Sequence, residues 1–309
     1  MIKLLASAGR DDIARVYVAE SMDGRRLEFV ESVQPPLTHD DKWVLIISTL
    51  YGCPVGCRFC DAGGYYDGRI SKEDLLAQLD HMVLSRYPDG RIPSGKFKIQ
   101  FARMGEPAYN DAILDVMREL PERYEAPGLM LSLSTIAPSS RTRFFDELLD
   151  VKRELYQGRF QFQFSIHTTD EAKRRWLIPH STWSLQEMSR YGRLMAKDDE
   201  RKVVLNFAVG TGLPIESDVL LEHFDPEHFI IKLTPVNPTF QARSNNIISV
   251  LSGDDVRPLE DAGYEVIVSI GEEEENLIGS NCGQYLRAYE KGESLPGGYK
   301  YPLKEQRGA

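Results

Sequence analysis

Three cysteines lie close together in the segment Cys53-Pro54-Val55-Gly56-Cys57-Arg58-Phe59-Cys60, with the spacing CxxxCxxC. This spacing can gather three thiolates around one point, and it supplies no fourth protein ligand. A four-iron four-sulfur (4Fe–4S) cluster takes one thiolate for each iron, so one iron would stay open to a ligand from outside the chain. An open iron can take part in chemistry as well as carry electrons.

Two other uses of these cysteines are a structural zinc site and a disulfide framework. A structural zinc ion normally takes its remaining ligands from a second CxxC or HxxxH pair, and no such pair follows. Disulfides fit poorly because the 309-residue chain has only four cysteines, three of them in this short segment. The pattern therefore favours the cluster.

The cysteine segment, with Phe59 directly before the third cysteine, resembles the cluster loop of the radical S-adenosylmethionine (SAM) superfamily. The resemblance implies that the open iron chelates the amino and carboxylate groups of SAM. It also implies that reductive cleavage of SAM yields a 5′-deoxyadenosyl radical, and that an external electron donor of the flavodoxin or ferredoxin type supplies the electron. A binding module that holds iron–sulfur or zinc without turnover is the alternative from a different class.

Charge and hydropathy limit the partners and the location of the protein. The formal net charge is −10, whereas nucleic-acid binders usually show a basic stripe or domain. The longest apolar runs, such as residues 43–50, have the length of a strand and not of a membrane span. The N-terminal residues do not resemble a signal peptide. We therefore expect a cytoplasmic protein with no membrane partner.

The elements that must position the cysteines follow from the hydrophobic pattern. From residue 43 onward, short β-rich runs alternate with helical patterns, which is typical of a parallel sheet built from βα units. The predicted strands are residues 43–50, 96–103, 128–135, 159–166, 202–209 and 228–234. Helices are predicted to begin after Ser71 and after Ser184, whose capping box includes Glu187.

Six βα units are too few to close an eight-stranded barrel, so we predict an α/β fold with a partial (β/α)6 barrel and an active site at the carboxyl ends of the strands. A β-hairpin of residues 14–19 and 26–30 precedes this core, and a further strand at 264–270 follows it. The predicted domains are an N-terminal β extension (1–40), the core (41–290) and a C-terminal tail (291–309).

Small polar residues follow several predicted strands. Met104-Gly105-Glu106-Pro107 places a carboxylate where it can reach a bound ammonium group, although the same residues are equally suited to start a helix with Pro107 at its first position. Ser132, Ser165, His167 and Asn237 occupy comparable places. Taken singly, each is more often a cap or a turn residue.

Together, these segments resemble the radical SAM adenosine-C2 RNA methyltransferases of the RlmN/Cfr type over residues 29–290. The resemblance implies that Cys53, Cys57 and Cys60 are cluster ligands and that Glu31 is the proton acceptor. It also implies that six residues contact SAM: Gly105, Glu106, Ser132, Ser165, His167 and Asn237.

The fourth cysteine lies in Asn281-Cys282-Gly283-Gln284, which resembles the family's segment with a methyl-carrying cysteine. A thiol is the best protein nucleophile near neutral pH, so Cys282 can accept a methyl group and hold it as a thioether. Hydrogen abstraction from that methyl group would leave a carbon radical able to add to an electron-poor ring. The alternative for Cys282 is a buried apolar thiol, the commonest fate of a free cysteine.

The chain departs from the family in two ways. The family's second cysteine, which releases the covalent adduct, corresponds to Ile46, and the core begins only about forty residues into the chain, without an RNA-binding domain ahead of it. We therefore expect a radical SAM methyltransferase that acts on a small-molecule or nucleobase-like substrate. The alternatives are C2 methylation of adenosine in RNA, and hydrogen abstraction without methyl transfer.

Overall fold

The structure is a computed structural model that describes residues 2–197, 200–270, 278–279, 285–292 and 304–305. Its internal contacts group the chain into two units. The first unit comprises Met1–Pro54, Asp61–Ser132 and Gly271–Ala309, and the second comprises Val55–Cys60 and Leu133–Ile270. Cys53 therefore belongs to the first unit, and Cys57 and Cys60 belong to the second. The domain boundaries expected from the sequence remain a prediction.

The described strands and helices alternate along most of the chain. The strands are β1 (Lys3–Arg10), β2 (Ala14–Glu20), β3 (Arg26–Ser32), β4 (Lys42–Ile47), β5 (Leu50–Gly52), β6 (Tyr66–Arg69), β7 (Lys96–Phe101), β8 (Leu129–Thr135), β9 (Phe160–Ser165), β10 (Val203–Val209), β11 (Phe229–Pro235), β12 (Val266–Val268) and β13 (Lys304–Glu305). The helices are α1 (Lys72–Arg86), α2 (Ala112–Arg123), α3 (Thr142–Val151), α4 (Glu171–Leu177), α5 (Leu185–Met195), α6 (Ser217–His223), α7 (Phe240–Ser244), α8 (Arg257–Asp261) and α9 (Tyr285–Lys291).

In the first unit, the strand order is β8-β7-β4-β3-β2-β1-β13. The pairs from β1 to β4 are antiparallel, whereas β4 and β7 are parallel. Helix α1 begins after Ser71, whose side chain accepts a hydrogen bond from the backbone N–H of Asp74. The apolar residues of α1 are buried because they recur at helical spacing: Leu75, Leu76, Leu79, Met82 and Val83.

In the second unit, the parallel strands follow the order β12-β11-β10-β9. Helix α5 starts at the predicted capping box, in which the side chains of Ser184 and Glu187 each accept a hydrogen bond from the backbone of the other. Its buried Tyr191 packs on Phe145 and Phe162 with ring centres 5.5 and 5.4 Å apart. Aromatic packing therefore fixes this helix near β9.

The predicted α/β class with parallel βα units is confirmed. All six predicted core strands are present, as are the N-terminal hairpin (β2 and β3) and the later strand β12. Strand β1 and the small ribbon of β5 and β6 were not predicted from the sequence. Among the described residues, no helix has the length and apolar character needed to cross a membrane.

Candidate functional site

Cys53 directly follows β5 and is fixed by the ribbon that β5 forms with β6. Its backbone N–H donates to the carbonyl of Tyr65 at 2.9 Å. The preceding Gly52 has φ +77°, and a Cβ at this position would lie 2.3 Å from the Tyr65 carbonyl oxygen. Only glycine permits this close approach of the two strands, so the local sequence holds the first cysteine in one place.

Cys57 and Cys60 form a turn in the second unit, in which the N–H of Cys60 donates to the carbonyl of Cys57 at 3.1 Å. The backbone of this turn is bonded to α4 and to residues around α7. Its bonds are Arg58 N–H to the Leu177 carbonyl (2.9 Å), Thr239 Oγ1 to the Phe59 carbonyl (2.7 Å) and Asn245 Nδ2 to the Arg58 carbonyl (3.0 Å). Secondary structure therefore fixes the second and third cysteines as well.

The three cysteines suit the cluster predicted from their spacing. None forms a disulfide, and each is partly exposed. The buried guanidinium of Arg174 interacts electrostatically with Cys57, and this interaction raises the pKa of Arg174 against the larger effect of its burial. Burial lowers the pKa of Arg174 to about 10, so this side chain still carries its charge at neutral pH. A donor set of three thiolates fits a 4Fe–4S cluster with one open iron.

The turn that carries Gly105 and Glu106 lies against the residues before Cys53. The N–H of Thr49 donates to the Met104 carbonyl at 2.8 Å. Gly105 has φ +95°, and a Cβ there would lie 2.5 Å from the Leu50 side chain. Within the first unit, the structure thus brings Gly105 and Glu106 close to the strand that leads into Cys53.

Glu106 is buried and caps a short 3₁₀ turn, Pro107–Tyr109, with Pro107 at its first position. Its Oε1 accepts a hydrogen bond from the N–H of Ala108 at 3.2 Å. The predicted helix start is therefore confirmed. A carboxylate held in one orientation by such a bond is also pre-organised for an ammonium group, so binding of SAM by Glu106 stays a prediction.

His167 packs directly on the cysteine turn. Its ring makes an edge contact with Phe59 at 4.8 Å between ring centres, and its Nδ1 accepts the N–H of Ala208 at 3.0 Å. Burial, with a smaller effect of the Arg174 charge, lowers the pKa of His167 to about 3. The imidazole is therefore neutral, with Nε2 carrying its proton, at physiological pH.

The other residues predicted to contact SAM lie on or after strands. Ser165 is the last residue of β9, and Asn237 follows β11, two residues before the Thr239 that bonds the cysteine turn. Ser132 lies in the middle of β8 and is buried, and not at the end of a strand as its sequence pattern predicted. The contacts thus bring His167 and the Asn237 segment to the turn of Cys57 and Cys60.

Glu31 lies on β3 among structural partners. It accepts hydrogen bonds from the hydroxyl of Tyr17 and from Nε1 of Trp43, the latter at 3.0 Å. The guanidinium of Arg86 on α1 is 3.7 Å away. These contacts join the hairpin to α1. The assignment of Glu31 as proton acceptor stays a prediction, and these partners are equally consistent with a structural role.

Glu28, which the sequence analysis did not select, forms a buried ion pair with Arg103 in the same unit. The distance from Arg103 Nε to Glu28 Oε1 is 2.9 Å, and the two side chains are 2% and 0% exposed. Arg103 immediately precedes Met104-Gly105-Glu106. Burial raises the pKa of Glu28, while Arg103 opposes that rise. The sequence offered one sign of this buried ion pair, which is an acidic residue among the apolar residues of β3.

The same ion pair binds the chain on both sides of the segment that contains Cys282. Arg103 Nη2 donates to the Gly279 carbonyl at 3.0 Å, and Glu28 Oε2 accepts the N–H of Leu286 at 2.6 Å. Arg287 on α9 lies 3.4 Å from Asp61, the residue directly after Cys60. Asn281, Cys282, Gly283 and Gln284 themselves lie outside the described residues.

Comparison with known proteins indicates which family the chain resembles. No family model matches the chain. The chain is 27% identical over 287 residues to a probable dual-specificity RNA methyltransferase RlmN of Desulfitobacterium hafniense, which covers 90% of this chain and 77% of that protein. It is 25% identical over 280 residues to a protein with the same description from Saccharopolyspora erythraea, and this match covers 85% of this chain and 71% of that protein.

A solved structure agrees with this result. The fold is similar to that of a radical SAM methyltransferase from Sphaerobacter thermophilus, with a TM-score of 0.69 and 20% identity over 92% of this chain and 80% of that one. The predicted radical SAM fold is thereby confirmed. These similarities indicate an enzyme of the RlmN/Cfr-like family of radical SAM methyltransferases, which implies a 4Fe–4S cluster and S-adenosylmethionine.

Proposed function

We propose that this enzyme methylates C2 of adenosine in RNA, with Cys282 as the carrier of the methyl group. The relatives are described as probable dual-specificity RNA methyltransferases, which supports an RNA substrate. They give no support to the small-molecule substrate that net charge and the Ile46 position suggested. An overall charge of −10 is compatible with RNA binding if basic side chains are local to the binding surface.

The observation that carries the carrier role is the double attachment to the Glu28–Arg103 pair. Because Gly279 and Leu286 both bond to this pair, only six residues span the interval between two fixed points. Cys282 is one of those six. Arg103 also lies two residues before Gly105 in the sequence. These two bonds to the residues on either side of the Cys282 segment support the carrier role that we propose for Cys282.

We assign Cys53, Cys57 and Cys60 as the ligands of the cluster, which when bound supplies the electron for reductive cleavage of SAM. Glu106 holds the SAM ammonium group through its carboxylate. The thiolate of Cys282 forms a bond to the methyl carbon of a first SAM molecule while the bond from that carbon to the sulfonium sulfur breaks. S-adenosylhomocysteine leaves, and the proton that the thiol lost on forming the thiolate goes to solvent. Reduced thiols are required throughout, which supports a cytoplasmic location.

We further propose that Glu28, rather than Glu31, is the proton acceptor. Val30 pairs with Ile46 and Glu31 pairs with Leu45 across the antiparallel strands β3 and β4. Side chains alternate between the two faces of a sheet, so Glu28 shares a face with Ile46, and Glu31 points to the opposite face. Ile46 marks the position of the family's resolving cysteine, and Glu28 is also the glutamate bonded to Leu286.

The experiment follows the methyl group in two stages. Anaerobic incubation of the reconstituted protein with SAM should give a peptide in which Cys282 carries one methyl group, and the Cys282→Ala variant should not. Addition of reductant and an adenosine-containing ribosomal RNA transcript should then give 2-methyladenosine after nuclease digestion and mass spectrometry.

Two results would contradict the proposal. If Cys282→Ala forms the same methylated product, then Cys282 is not the carrier. If the enzyme methylates free adenine nucleotides but not RNA, then the substrate is a small molecule.

A further inference from the structure

A basic and aromatic surface lies beside the turn of Cys57 and Cys60 in the second unit. The guanidinium carbon of Arg58 lies 5.2 Å from the centre of the Trp176 ring, and its Nε donates to the Trp176 carbonyl at 2.8 Å. The indole remains 43% exposed. An exposed tryptophan that is held in place by a cation has the character of a contact residue and not of a core residue.

The charge of this surface is positive. Lys173 is exposed on α4 one turn before Trp176, so the two side chains lie on one side of the helix. The charge of Arg175 is offset by Glu171 at 3.3 Å, and Asp170 is engaged as the helix cap. Neither Arg58 nor Lys173 forms an ion pair with any of the described residues. A local positive surface therefore occurs on a chain whose net charge is −10.

We propose that this surface, formed by Arg58, Lys173 and Trp176, docks the acidic one-electron donor protein that reduces the enzyme. The inference rests on the proposed cluster ligands, because Arg58 stands between two of them. Electron transfer weakens steeply with distance, so a donor must dock next to those ligands. Opposite charge steers two proteins together, and an aromatic side chain anchors the contact.

A flavodoxin or ferredoxin fits this surface better than RNA does. Basic and aromatic side chains also bind single-stranded nucleic acid. However, affinity for RNA depends on several phosphate contacts, whereas this surface offers two unpaired cations. The turn that it borders is also the partly exposed one of Cys57 and Cys60. An acidic donor needs only a small surface, because redox encounters bury little area.

The test uses the reconstituted enzyme and a purified acidic flavodoxin. Binding is measured by titration calorimetry at low and high salt, for the wild-type enzyme, for Lys173→Glu and for Lys173→Glu combined with Trp176→Ala. Arg190→Glu on the exposed side of α5 is the control, because it makes the same change in charge. We expect the Kd for flavodoxin to rise about tenfold in Lys173→Glu and further in the double variant, with little change in the control.

Activity separates the docking step from the chemistry. SAM cleavage driven by flavodoxin should need correspondingly more donor in the variants, whereas cleavage driven by dithionite should be unchanged. Unchanged Kd and donor requirement in both variants would overturn the proposal, as would an affinity of the wild-type enzyme that does not fall with salt. Loss of RNA binding with intact flavodoxin binding would assign the surface to RNA instead. Failure of RNA methylation with dithionite would count against the proposed function and not against docking.

Discussion

Replacement of Arg103 by methionine should destabilise the protein far more than loss of an ordinary surface arginine. Methionine keeps most of the length of the side chain but leaves Glu28 buried without its positive partner. Removal of one member of a buried ion pair costs about 3 to 5 kcal/mol, whereas an exposed pair is worth about 0 to 1 kcal/mol. The matched control is Arg91→Met, because the Arg91–Glu125 pair at 3.1 Å is more than two-thirds exposed on both sides.

The loss of unfolding free energy in Arg103→Met should depend on pH. Burial already raises the pKa of Glu28, and removal of the guanidinium raises that pKa further. Between the unfolded pKa and this raised value, the folded variant binds more protons than the unfolded chain, so its stability falls as pH rises. The difference from wild type should therefore be smaller at pH 5.5 than at pH 7.5. Urea unfolding, monitored by tryptophan fluorescence at pH 5.5 and at pH 7.5, measures this difference at each pH.

The same variant should slow methylation of Cys282, because Arg103 and Glu28 hold Gly279 and Leu286. Combining Arg103→Met with Glu28→Gln removes the unpaired charge, so most of the stability should return. Methylation of Cys282 should remain slow in the double variant. The effect of losing the bonds to Gly279 and Leu286 is thereby distinguished from the effect of a less stable fold. The reasoning is refuted if Arg103→Met costs no more than Arg91→Met, or if the double variant methylates Cys282 at the wild-type rate.

Three further predictions concern the proposed ligands. Cys57→Ala should lose iron and SAM cleavage, measured by metal analysis and by release of 5′-deoxyadenosine; retention of both would remove Cys57 from the ligand set. Glu106→Gln should weaken SAM binding by about 1.5 to 3 kcal/mol in calorimetry, because the amide can still accept from Ala108 but lacks the charge; unchanged affinity would leave Glu106 as a cap only. His167→Asn should flatten the dependence of stability on pH. Because the pKa of His167 is lowered to about 3 in the folded protein, the wild type should lose about 1.4 kcal/mol of unfolding free energy for each pH unit below 6.5. Urea unfolding of both proteins at several pH values measures this loss, and the same dependence on pH in His167→Asn would contradict the prediction.

The parallel core could be predicted from the sequence because its strands are short apolar runs separated by helical patterns. The caps at Ser71 and Ser184 could be predicted because a cap depends on residues within one turn. Strand β1 was missed because its pairing with β2 depends on tertiary contacts that a local sequence pattern does not show. The β5–β6 ribbon was missed for a similar reason. Strand β5 is only three residues long, and the need for glycine at position 52 follows from the close approach of Tyr65, which the sequence does not show.

In the candidate site, too, residues that are neighbours in sequence could be predicted, whereas residues that meet only in the fold could not. Cysteine spacing predicts the proposed cluster ligands because they are neighbours in sequence. The partner of Glu28 is Arg103, and no local pattern joins residues so far apart. Resemblance alone pointed to Glu31, three residues away. An odd separation on a strand reverses the face, so a shift of three residues along β3 leads from Glu31 to Glu28, the carboxylate that bonds to Leu286.

The position of Ile46 bears on how the methylated product leaves the enzyme. Ile46 is partly exposed and shares its face with Glu28. In the family, a thiolate at this position releases the adduct by forming a disulfide with the carrier cysteine, and an isoleucine cannot do so. If the product is tethered to Cys282, cleavage of the carbon–sulfur bond to give a methyl group takes two electrons, which an external thiolate would supply by forming a disulfide with the Cys282 sulfur. We propose Glu28, whose carboxylate accepts the N–H of Leu286 four residues after Cys282, as the base that takes up the substrate proton in that step.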